Sequence, residues 1–440
     1  MSQDESRAAS RTDRMGPGAI PPAPQGVRTS ESSPKTSPAW LAAEWVLLLF
    51  LLGCVANWLL VPANAPHQPD FHHYFYPAGQ NIAHGISPYE YKVEKDDSGF
   101  VYPPHLALIL APFCLSTPEV GATLWQFFNL ALLAATLWLS ERVAGFPLGW
   151  RRRAIVYLGL LLWIPIYDHF YLGSCTLIVS ASAVGGLLAI QRNRLWLGGF
   201  LLAISAVKPH LVVLLGAGLV LRDWRIHRSV KLGAAGVLGV LASLALAYAA
   251  APSWPASLMA NQHDAYDYWG ATTSIRTLLA TPYGPTWLTE GIYWLGFLAA
   301  YGWMLYRWAD RQADLVLLSA QTLAVTMLAA PYAHNYDYVL LILPLLLVFQ
   351  RISTDTPWRR FGWFAGLIAA AWISSSFQRW FHSFLEYGTV WVTLEKWFGE
   401  PWVSQAWQDS KWKYRFTGLL FPLLVTVVLL RWPPRPARNP

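Results

Sequence analysis

The sequence predicts an all-α, polytopic membrane protein with about 12 transmembrane helices, some short or broken, around a cavity on one face of the bilayer. Three observations carry this. Apolar residues make up 55% of the 440 and charged residues only 13%, about half the share of an average globular chain. Charge-free apolar windows recur along the chain at bilayer-spanning lengths, and the scarce basic residues cluster in the segments between alternate windows. Mean hydropathy is +0.32 and 25 residues are Trp, which excludes disorder, collagen and a soluble multidomain chain. The three cysteines, Cys54, Cys114 and Cys175, lie in apolar stretches and read as packing residues.

Residues 1–39 are rich in Ser, Pro, Gly and Arg without apolar clustering, the composition of a disordered cytoplasmic tail. The tail is too long and polar to open a cleaved signal peptide, so the next run is expected to remain as an anchor. A transmembrane domain over 40–431 follows. Its first window has no charge between Glu44 and Asp70. Others are 120–140, 169–191, 232–263, 291–306, 315–336, 361–378 and 416–430. Four windows, 154–167, 195–207, 209–221 and 338–350, hold only 13 or 14 residues, a length tolerated where a helix lines a cavity. Lys208-Pro209 divides 195–221 into two short spans or a re-entrant pair. A Pro/Arg-rich cytoplasmic tail, 432–440, ends the sequence.

With both termini inside, the inner loops hold 18 basic residues and the N-terminal tail five, 23 of the 32, as the positive-inside rule requires. Net charge +7 therefore reports orientation, and nucleic acid is not an expected partner. Ten of the eleven His fall outside or at outer helix ends. The working face is thus expected to be the outer one, with its large loops at 62–104, 251–285 and 379–412. The last, with six Trp, reads as an amphipathic segment resting on membrane lipid.

In the first outer loop, helical spacing places Tyr74, Pro77, Ala78 and Ile82 on one face of a short interfacial helix. Gly85 stops it and Ser87-Pro88-Tyr89 turns the chain. Asp70 begins it. An acid at this depth is either a functional group or the N-cap of the helix, and spacing leaves both open. Asp70 with His72 and His73 does not make a metal site, because adjacent His seldom share one ion.

This pattern continues as Gly-x-x-Pro-Tyr89 and Phe100-Val-Tyr-Pro-Pro104, then Ala206-Val-Lys-Pro-His210, then Ala330-Pro-Tyr-Ala-His-Asn-Tyr-Asp-Tyr338. In order and placement it resembles glycosyltransferase family 87 over roughly residues 40 to 350. These are GT-C-type membrane enzymes that use polyprenyl-phosphate sugars, typified by phosphatidylinositol-mannoside α-1,2-mannosyltransferases. The resemblance implies a GT-C fold in a bacterial inner membrane, a polyprenyl-phosphate sugar donor (mannose), a lipid-linked glycan acceptor, no cofactor and no metal. It also implies that Asp70 is the base of an inverting transfer. The chemistry agrees: a sugar hydroxyl needs a carboxylate to take its proton, and direct displacement needs no second carboxylate.

The leaving lipid phosphate needs cations or donors. Lys208, His210, Arg276 and His334 are the outer-face candidates; for Lys208 the alternative is snorkelling to the surface, and for Arg276 and His334 an ordinary loop role. Tyr74, Tyr89 and Tyr102 are candidates for sugar contact. Asp168 and His169 could bind acceptor or simply end a helix, and Asp264 and Asp267 sit among aromatics suited to a sugar or to an interfacial belt. Two rival readings are a secondary transporter, against which stand the missing internal repeat and mid-span acids, and a lipid-linked polysaccharide ligase, which would not need the Asp-led loop.

Overall fold

The computed structural model describes residues 45, 49, 68–90, 99–145, 150–161, 163–261, 274–280, 286–352, 419 and 421–431. Apart from residue 45 they belong to one unit. The two tails, the first span, the 361–378 window, the 379–412 loop and the Asp264/Asp267 cluster lie outside the described residues. Among those described, every regular element is helical.

The first loop enters through a π-helical turn, Phe71–Phe75, and continues as α1, Tyr76–Ala83. Gly85, at φ +77°, ends it as expected. The wider turn advances the helix face, however. Phe71, Phe75, Ala78 and Ile82 are buried, while Tyr74 and Pro77 are turned to the half-exposed side. The predicted face is therefore corrected: the π turn, nearly one residue wider than an α turn, shifts Tyr74 relative to Ala78 and Ile82, while Pro77, on α1 beyond the turn, stands one residue round from buried Ala78.

Helix α2 (Pro104–Leu110) and a 3-10 turn lead to α3 (Pro118–Ala144). A bent pair follows, α4 (Trp150–Leu161) and α5 (Ile164–Leu172), broken near Pro165 and ended by Gly173 at φ +75°. Helix α6 (Thr176–Gln191) is buried on all sides over its first fourteen residues, the pattern of a helix enclosed by others. It packs on α3 and on α7 (Leu195–Ser205), and α7 packs on α9 (Lys231–Ala250). Between them, α8 (Pro209–His227) starts at the Lys208-Pro209 break. Later come α10 (Trp254–Asn261), α11 (Ile275–Ala280), α12 (Trp287–Trp308), α13 (Leu315–Ala329), a 3-10 turn (Asn335–Leu341), α14 (Ile342–Ile352) and α15 (Phe421–Leu430).

Among the described residues, α3 and α9 are long and apolar enough to cross a membrane, or three spans if the bent α4–α5 pair counts as one. Shorter apolar helices occupy the 169–191, 195–207 and 315–336 windows. Large apolar side chains face outward along α9 (Val237, Leu241, Leu246) and α12 (Ile292, Leu295, Leu298), as a lipid-facing surface requires.

The α7–α9 seam is built from small residues. A Cβ on Gly199 would sit 2.5 Å from the Leu232 carbonyl oxygen and 2.6 Å from the Ala235 Cβ. Gly199→Val is expected to destabilise by about 1–3 kcal/mol through overpacking. Gly216→Ala, on α8 where an added Cβ meets nothing within 4 Å, should be neutral or slightly stabilising. Thermal unfolding of the detergent-solubilised protein measures both; equal shifts would refute the close-packed seam.

Candidate active site

Three segments far apart in sequence meet around a cavity of about 520 Å³, a volume suited to a small organic ligand. The first loop contributes Asp70, Tyr74, Tyr89 and Tyr102; the α7–α8 break contributes Lys208 and His210; the late turn contributes Tyr332, His334, Tyr336 and Asp337. Val101, Val207, Leu244, Trp254 and Leu258 give the remaining wall an apolar character.

Lys208 is where it is because of Pro209. A residue before proline avoids the α conformation, and Lys208 is extended at φ −129°, ψ 78°, between the two helices. Its side chain turns inward and is only 3% exposed, so it does not snorkel. The Nζ donates to Asp337 Oδ1 at 2.7 Å and to Thr176 Oγ1 at 2.9 Å. Thr176 Oγ1 in turn donates to Asp337 Oδ1 at 2.6 Å, and Asp337 Oδ2 accepts the His334 backbone N–H at 2.9 Å. The ammonium also lies over the Tyr336 and Tyr102 rings, 4.7 and 5.6 Å from their centroids. Burial alone would push the Asp337 carboxyl up, but the adjacent Lys208 and His334 hold it below the usual carboxylate range. Burial likewise works against the Lys208 charge, and Asp337 more than offsets it. Both groups are therefore charged at neutral pH. An ammonium has three protons, and two of those of Lys208 have partners among the described residues.

Asp337 and Thr176 were not among the residues singled out from the sequence. The signal was present: a lysine at membrane depth calls for a counter-charge, and Asp337 is an acid beside the apolar 338–350 run.

Asp70 precedes the π turn with helical backbone angles (φ −64°, ψ −39°) and makes no side-chain capping bond. Of the two sequence-level alternatives, N-capping is thus not what its carboxyl does. It is half-buried in the cavity wall, and burial pushes it up to about 7; Lys208 pulls the other way and Asp337 adds to the rise.

His210 rests against Tyr332 with ring centroids 4.1 Å apart, and neither ring nitrogen has a hydrogen-bond partner among the described residues. His334 stacks on Tyr336 at 4.9 Å. The Tyr89 hydroxyl donates to the Tyr102 carbonyl at 2.7 Å, which fixes the loop that carries Tyr102.

Three expected site residues are not brought to the cavity. Arg276 on α11 is bound to Glu290 on α12, Nε to both carboxylate oxygens at 2.9 and 3.0 Å, and fastens one helix to the other. His169 is wholly buried, its Nε2 3.1 Å from Asn129 Oδ1. Asp168 Oδ2 accepts Asn335 Nδ2 at 2.6 Å. These two residues brace α5 against α3 and the late turn.

Residues 100–331 match the sequence profile of Glycosyltransferase family 87. Over 170 residues the chain is 28% identical to the polyprenol-phosphate-mannose-dependent alpha-(1-2)-phosphatidylinositol pentamannoside mannosyltransferase of Mycolicibacterium smegmatis, covering 37% of this chain and 40% of that protein. The Mycobacterium tuberculosis protein of the same description is 26% identical over 169 residues, 37% of this chain and 38% of its own. The match thus spans about two fifths of these relatives. No solved structure matches.

Proposed function

The chain belongs to glycosyltransferase family 87, a family of membrane glycosyltransferases, and on that premise we propose that it transfers a hexose, mannose, from a polyprenyl phosphate to a lipid- or envelope-linked glycan acceptor. The carrying observation is the Asp70 carboxyl, which makes no capping bond, in the wall of a cavity that the Lys208 ammonium also lines. Asp70 takes the proton from an acceptor hydroxyl as its oxygen bonds to the anomeric carbon. The polyprenyl phosphate leaves from the opposite side, so the anomeric configuration inverts. The third N–H of Lys208, with His210 and His334, receives the charge that grows on the phosphate. Tyr74 and Tyr102 face the sugar.

A twelve-span arrangement in a bacterial inner membrane, with the cavity outside, is part of the reading. It is supported by α8, which starts at the cavity beside His210 and carries Arg225 about 22 Å further along, with Arg228 just past its end.

The test supplies purified protein with radiolabelled polyprenyl-phosphate mannose and a membrane lipid extract. Labelled glycolipid supports the proposal. No transfer from any polyprenyl-phosphate sugar, with solute uptake into proteoliposomes instead, sinks it and favours a transporter.

A pH dependence follows. Asp70 is protonated, and idle as a base, below its raised value of about 7, so kcat/KM should climb with pH through an acid limb near there. A limb near 4, the ordinary aspartate value, would remove Asp70 from that role.

A further inference from the structure

The buried side chains behind the cavity wall carry a second layer of design. Lys208, Asp337 and Thr176 come from the α7–α8 break, the late turn and the start of α6, and their polar atoms close a three-membered ring of contacts at 2.6–2.9 Å. Thr176 is fully buried and Asp337 is 1% exposed, while Lys208 and Asp337 also reach the cavity surface. A lysine side chain ordinarily moves freely about four rotatable bonds. Here two oxygens and two aromatic faces fix its end.

We propose that Asp337 and Thr176 are positioning residues for the transfer: Thr176 fixes where the Lys208 ammonium stands, and the Asp337 charge offsets that of Lys208 as felt by both Asp70 and the donor phosphate. The inference rests on the proposed transferase reading. Without Asp337, an uncompensated cation would bind the donor phosphate more tightly and make Asp70 a weaker base. The offset therefore trades ground-state affinity for basicity, which favours turnover over tight binding.

Among the described residues, the groups facing Asp70 and Lys208 are Tyr102 from the first loop, His169 on α5, Cys175 just before α6, and Tyr332, Tyr336 and Asp337 around the late turn. His210 and His334 share the cavity. Tyr102 is held well above the usual phenol range, by burial first and by Cys175 and the nearby carboxylates, so it stays neutral over the assay range. Among the described residues, Asp337 is the other carboxylate in the group, so the effect on Asp70 is assigned to it.

The test compares donor kinetics against pH for two near-isosteric variants. Asp337→Asn keeps an acceptor for Lys208 and removes the charge. It should move the acid limb of kcat/KM down by about one pH unit, lower the donor KM several-fold and lower kcat. Thr176→Val keeps the charge and removes the fixing hydroxyl. It should leave the acid limb in place and raise the donor KM several-fold. A purely structural role would reduce the active fraction with limb and KM unmoved, and that result in Asp337→Asn overturns the proposal. If Asp337→Asn does not accumulate, Thr176→Val decides alone, and an unchanged donor KM overturns it. Failure of the transferase reading looks different: the unaltered protein then transfers nothing.

Discussion

Asp70→Asn is expected to lower kcat/KM for sugar transfer by about a hundred- to ten-thousand-fold, the range that general-base catalysis contributes. The substitution keeps size and removes only the ability to take a proton. Folding should not suffer, because the carboxyl makes no capping bond. The sign of any stability change can be worked out. The folded value of Asp70 lies above its ordinary one, so its contribution is fully present while it is protonated, below about 3.8, and is lost as pH rises through about 7. At pH 8 the ionised Asp70 is a liability that Asn does not share, and Asp70→Asn should unfold at a higher temperature than the unaltered protein. The difference should shrink on acidification. A variant as stable as its parent but fully active would leave Asp70 without a catalytic role; one that is inactive and unfolded would show a structural residue instead.

The second large effect concerns stability. Lys208→Met strands the buried Asp337 carboxylate and should cost about 3–5 kcal/mol, the range for breaking a buried ion pair from one side. Replacing both partners, Lys208→Met with Asp337→Leu, removes the stranded charge and should recover most of that loss while abolishing transfer. Unfolding temperature and yield in detergent provide the comparison. If the single and double variants are equally unstable, the pair is not the electrostatic unit described above.

How far these features could be read from sequence depends on the range of the interaction involved. Apolar windows and turn residues act locally, and they were legible: the helical class, the stop at Gly85 and the break at Lys208-Pro209 all appear in the structure. So did the gathering of Asp70, Lys208, His210 and His334, since residues at one end of neighbouring spans have few other places to go. Pairings across long stretches of chain were not legible. Lys208 called for a counter-charge, yet periodicity does not say which acid supplies it; His169 with Asn129 and Asp168 with Asn335 leave no trace at all, and each pairing decides whether a polar residue faces the cavity or braces the scaffold. The π turn is a third kind of case. Nothing in Phe71–Phe75 breaks a helical pattern, yet a slightly wider turn changes which side of the loop carries Tyr74.

The buried ion pair also sets a timetable for making the protein. Lys208 precedes Asp337 by 129 residues. At a synthesis rate of about 5–20 residues per second, the lysine waits roughly 6–26 s for its counter-ion. During that interval the break at 206–208 has to keep the ammonium near water or lipid head groups, since a lone charge in the hydrocarbon is costly. Only when the late turn arrives can α6, the break and the turn lock together. The cavity wall is thus among the last parts of the molecule to assemble, and a chain truncated before residue 337 would carry an unneutralised lysine.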